Sequence, residues 1–180
     1  KKLLSLSFSK HKNQLPNFFK KITNFWMLII NNKKEEAFRF INSIEVNNEA
    51  QLKVIHYNQL LGYVYFDDYD LASTLYLNGE FNEFLFDSDS ALAIAYYFFK
   101  EGNIQISKEI SEKIKRATNN TYYSLRFLET IKGLKDTKKF DVDPYKQLAE
   151  IFFRWSQTTN EREKGYVTKL FYLSLALHAS

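Results

Sequence analysis

Cysteine is absent from this 180-residue chain. Neither disulfides nor thiolate metal sites can stabilise it, and a reducing compartment is permitted. Glycine occurs five times and proline twice, and so few turn formers argue against a hairpin-rich all-β fold. No apolar stretch reaches the roughly 18 residues that a membrane span requires. The most apolar run, FWMLII at 25–30, is bounded by Asn24 and by Asn31-Asn32. The first ten residues lack the apolar core and small-residue cleavage site of a signal peptide. These absences together point to a soluble, cytoplasmic protein without a membrane span.

Catalytic signatures are missing too. There is no glycine-rich phosphate loop, no G-x-S-x-G elbow and no paired catalytic motif. The acidic run DDYD is followed by Leu71 and lacks the glycine and distal glutamate of a calcium loop. His11, His56 and His178 stand far apart with no second ligand at metal-binding spacing. The sequence therefore predicts no enzyme activity in this chain, no cofactor and no metal. It carries no initiating methionine and stops inside an apolar helical pattern, KLFYLSLALHAS, which reads as a piece of something longer.

What is present is aromatic. Phe and Tyr contribute 17 and 12 residues, with hydrophobic residues at an ordinary 45%. The charge is unevenly laid out. Residues 1–44 carry nine Lys/Arg against two Glu, residues 45–101 two Lys against ten Asp/Glu, and residues 102–180 fourteen basic against nine acidic. An acidic middle between basic ends is a field able to steer a partner; chance variation among solvated helix faces is the alternative. The basic start, KKLLSLSFSKHKN, reads as a solvated end rather than as a nucleic-acid contact.

A shift of 35 residues aligns the first two thirds of the chain with itself. Ile22, Tyr57 and Leu92 share a column, followed by Phe25, Leu60 and Ala95, then Trp26, Leu61 and Tyr96, then Ile29, Val64 and Phe99. These offsets of 0, 3, 4 and 7 mark one face of a helix. A small-residue column, Ala37, Ala72 and Ser107, opens a second helix, with Ile41 and Tyr76 a turn further on. Each unit is thus a helix, a short polar turn and a second helix, and short connections make antiparallel neighbours. A fourth unit starts with Phe127, Ile131 and Leu134. Its turn is lengthened by KDTKKFDVDP, and its second helix runs from Pro144 through Ala149. The expected organisation is one all-α domain over 1–180 with about nine helices: units at about 15–45, 50–80, 88–117 and 120–157, and a capping helix at 165–179. On these columns Leu92, Ala95, Tyr96 and Phe99 are core, whereas Tyr97 and Phe98 lie elsewhere on the same helix.

The stretch LLGYVYFDDYDLASTLY (60–76), with Leu61-Gly62, Tyr65, Tyr69 and Ala72, resembles the tetratricopeptide repeat. AYYFFKEGNIQISKEI (95–110) adds a turn glycine at Gly102 and a small residue at Ser107. The chain departs from that family where Trp26, Leu61 and Tyr96 fill the usual small position of the first helix. The resemblance implies a right-handed α-solenoid of stacked helix pairs that binds protein or peptide segments on its concave face. It places Asn58, Gly62 and Tyr65, then Tyr97 and Lys100, then Leu128, Lys132 and Lys135 on that face. Asn58, Tyr65, Tyr97, Lys100 and Lys132 are the binding candidates, with Tyr97 as principal anchor. Two rival expectations follow from the same resemblance. One is a helical domain appended to a larger enzyme such as a bacterial glycosyltransferase. The other is the ligand-sensing domain of a peptide-responsive regulator.

Overall fold

Ile22, Phe25, Trp26 and Ile29 are all buried on one face of the first helix, α1 (Asn17–Ile30). The Phe25 ring meets Trp26 at 5.3 Å and, from the returning helix α2 (Lys34–Asn42), Phe38 at 5.8 Å. Each contact is edge-on, as the charge distribution of aromatic rings favours. Thr23 is buried beside them, and its hydroxyl donates to the Phe19 carbonyl at 2.8 Å. A polar residue is thereby accommodated on the packed face without an unsatisfied group.

The structure is a computed structural model and describes residues 17–79, 88–118 and 141–158. Five further helices follow: α3 (Glu49–Tyr65), α4 (Tyr69–Asn78), α5 (Ser88–Lys100), α6 (Ile104–Thr118) and α7 (Pro144–Thr158). The described residues are all-helical, with seven helices and no strand among them. The first helix expected for the fourth unit and the capping helix at 165–179 lie outside the described residues. The chain divides into two compact units. In one, α1 packs against α2 and α7; in the other, Val46–Val142, α3 packs against α4 and α5, and α5 along α6.

The three helix pairs close in the same way. Asn32, Asp67 and Gly102, each 35 residues from the next, hold positive φ values of 58°, 58° and 83°. The amides of Asn32, Asp67 and Gly102 donate to Ile29, Val64 and Phe99. The amides of Lys33, Asp68 and Asn103 donate to Leu28, Tyr63 and Phe98. This pair of reversed bonds is the Schellman closure, in which a left-handed residue lets the last carbonyls of a helix find donors. In the second and third pairs the residue after it caps the next helix, whereas Lys33 in the first makes no side-chain cap bond. Asp68 accepts from the Leu71 amide at 3.4 Å, and Asn103 from the Ile106 amide at 3.2 Å. α3 has its own cap, Asn48, which accepts from the Gln51 amide at 2.9 Å.

A Cβ at Gly102 would meet nothing within 4 Å, so the demand for glycine there is conformational alone. Gly102→Ala should therefore lower stability by about 1 kcal/mol through backbone strain. Urea unfolding tests this, and an unchanged midpoint would show that the turn does not need its left-handed residue.

In the second unit, α4 meets the following pair through aromatic side chains. Phe98 is fully buried, with its ring 6.0 Å from Tyr69 and 5.6 Å from Tyr76. The Asn103 amide donates to the Tyr69 hydroxyl at 3.1 Å, and the Lys113 ammonium stands 5.4 Å over the Tyr76 ring. Here the structure differs from the column reading: Phe98 is core, while Tyr96 and Phe99 are half-buried. The reason is that α5 is covered on more than one side, by α3 and α6 and by the tyrosines of α4.

Candidate binding cleft

The last turns of α3 and α5 stand at corresponding places in successive helix pairs, ending at Tyr65 and Lys100. A cleft of about 290 Å³ lies against them, within the second unit. Buried Val64, Tyr97 and Val142 contribute to its lining, and exposed Tyr65, Asp67, Lys100 and Asp141 give it a polar rim. Half-buried Tyr96 completes the wall. A volume near the lower end for ligand pockets suits one or two side chains better than a large cofactor.

The turn after α3 determines where Asp67 stands. It is the left-handed residue of the Schellman closure, and this conformation is one that Asp and Asn adopt more readily than most side chains. Lys100 is exposed, and its ammonium comes no nearer than 4.0 Å to the Glu101 carboxylate, too loose a contact to neutralise it. Two carboxylates and one ammonium therefore line the cleft.

Tyr97 is 6% exposed, and its buried hydroxyl makes no hydrogen bond of normal geometry. Burial pushes its pKa up, and the nearby Asp67, Glu101 and Asp68 carboxylates push it further. Asp67 stands close enough to act on the phenol both as a charge and as a hydrogen-bond acceptor, though not in the geometry of a full hydrogen bond. The Tyr97 hydroxyl is thus a buried hydrogen-bonding group without a partner of normal geometry, and such groups are rare in folded proteins.

Of the residues chosen from the sequence, Tyr65, Tyr97 and Lys100 line this cleft. Tyr97 does so as a buried wall rather than an exposed handle, because its ring also packs against Tyr69 at 6.5 Å and Phe98 at 5.8 Å. Tyr65, 40% exposed, is the accessible aromatic. Asn58 lies elsewhere: it is buried in α3 and its amide donates to the Val54 carbonyl at 2.7 Å. Lys132 is outside the described residues. Asp67 and Asp141 were not singled out from the sequence. Asp67 had a signal, since it lies 35 residues before the turn glycine Gly102. Asp141, in the lengthened turn before Pro144, had none.

Burial lowers the pKa of His56; His11 and His178 lie outside the described residues. Among the described residues no group of three or more His, Asp or Glu is placed to hold a metal ion, and no helix is long and apolar enough to cross a membrane. No family model matches the chain, and neither a curated protein nor a solved structure matches it.

Proposed function

We propose that the chain is a protein- or peptide-binding scaffold, built as a right-handed α-solenoid of tetratricopeptide-like helix pairs, and that its cleft receives part of a peptide segment. The three identical turn closures at a 35-residue interval support the repeat reading. The observation that carries the function is the convergence of Tyr65, Tyr97 and Lys100 on one cleft holding a buried hydroxyl without a partner of normal geometry. An exposed tyrosine beside an ammonium and two carboxylates offers apolar contact and hydrogen bonds at low conformational cost, as peptide-recognition surfaces do.

Selection of binding peptides from a random displayed library tests the reading. Tyr65→Ala removes an exposed ring and should leave the melting point nearly unchanged. It should also weaken the selected peptides by about fivefold or more, the loss of about 1 kcal/mol that marks an interface aromatic. Selection of no peptide, or of peptides indifferent to both Tyr65→Ala and Lys100→Ala, would remove the cleft from consideration.

A further inference from the structure

The peptide-binding reading leaves the chemistry of the occupant open, and three features of the cleft narrow it. Carboxylates outnumber cations along the lining, Asp67 and Asp141 against Lys100. Tyr97 is more than nine-tenths buried and its hydroxyl makes no hydrogen bond of normal geometry, which leaves its oxygen open as an acceptor. Exposed Tyr65 and half-buried Tyr96 add two aromatic rings to the same lining.

Resting on that reading, we propose that the cleft accepts an arginine side chain of the bound peptide, its guanidinium donating to the Asp67 and Asp141 carboxylates and to the Tyr97 hydroxyl oxygen. A guanidinium carries five N–H donors and no acceptor, which complements a lining whose open polar groups are mainly acceptors. It is weakly hydrated for an ion and stacks on aromatic faces, so Tyr65 and Tyr96 suit it better than a compact ammonium. The small volume fits a single long side chain. An acidic side chain seeking Lys100 would meet Asp67 and Asp141 in the same lining, with Asp68 and Glu101 close behind. Like charges juxtaposed at an interface exclude such partners.

The hydroxyl supplies a signature of its own. Tyr97→Phe deletes a buried polar atom that no hydrogen bond of normal geometry satisfies, so the free protein should melt at about the same temperature or higher. If the hydroxyl meets the guanidinium, the same change should weaken arginine binding. Asp67→Asn removes charge without disturbing the turn, because Asn32 occupies the corresponding position of the first helix pair with the same φ of 58°.

The experiment is a heteronuclear NMR titration of the whole chain with the blocked pentapeptide acetyl-GGRGG-amide and its analogues carrying citrulline, lysine or glutamate at the centre. The arginine peptide should shift the amides of Tyr65, Asp67, Tyr97 and Lys100. Citrulline, which keeps the shape but not the charge, should bind about tenfold more weakly. Asp67→Asn should cost about threefold, as a partly exposed ion pair does, and Tyr97→Phe a similar factor with no loss of melting temperature. Citrulline, lysine or glutamate binding as tightly as arginine at the same residues would overturn the arginine assignment and leave the peptide-binding reading intact. Arginine affinity unchanged by Tyr97→Phe and by Asp67→Asn would also overturn it. Failure of all four peptides to shift those amides would overturn both.

Discussion

Phe98→Ala is expected to destabilise the protein by about 3–5 kcal/mol, the loss typical of a fully buried phenylalanine whose site cannot collapse. Phe98 has no accessible surface, and its ring is packed by Tyr69, Tyr76 and Tyr97, at 6.0, 5.6 and 5.8 Å. Truncation would leave a cavity where α4 meets the next helix pair, and the three tyrosines around it are too rigid to fill it. At roughly 2–4 °C per kcal/mol for a chain of this size, thermal melting should show a fall of about 6–20 °C. The comparison with Phe99→Ala is decisive. Phe99 is half-buried and should cost clearly less. The reverse order would mean that α5 is rotated and that the 35-residue columns, which assign Phe99 to the core and leave Phe98 out, describe the packing better than the structure does.

That contrast shows what the sequence could and could not disclose. α1 buries a single stripe, and its apolar positions at 22, 25, 26 and 29 stand out against Lys20, Lys21 and Asn24, so the periodicity named the core correctly. In α5 every residue from Ala91 to Ala95 is buried, and Tyr97 and Phe98 as well. A helix covered on several sides has no polar stripe for a period to be measured against. Asn58 misled for a related reason. A short polar side chain can be buried when it bonds to its own helix carbonyl, as Asn58 does to Val54 and Thr23 does to Phe19. The turns were the most legible elements, because left-handed backbone restricts the residue types allowed. Asn32, Asp67 and Gly102 are all permitted there, and their interval is the interval of the columns. The cleft was half legible. Tyr65, Tyr97 and Lys100 come from the concave-face positions that the resemblance implies, but Asp141 reaches the cleft from the lengthened turn, which has no counterpart 35 residues away.

Ala72→Leu should cost about 1–3 kcal/mol by overpacking. Ala72 is fully buried in the first turns of α4, where that helix folds back along α3. The next pair shows how close such helices come at this position. Ser107, the residue 35 later, is buried in α6, and its hydroxyl donates to the backbone carbonyl of Ala95 in α5 at 2.9 Å. A side chain atom within hydrogen-bond reach of the opposite backbone leaves no room for a branched one. The counterpart of Ala95 in the second pair is Leu60, also fully buried. Ala72→Ser should therefore be tolerated far better than Ala72→Leu, since the third pair already accepts a hydroxyl at the corresponding place. Thr74→Leu, at an exposed position of the same helix, should change stability by no more than about 0.5 kcal/mol. The three variants together separate close packing from a general dislike of leucine in α4. Chemical unfolding that ranked Ala72→Leu with Thr74→Leu would mean that α3 and α4 do not approach closely at residue 72, and the shared register of the second and third helix pairs would fall with it.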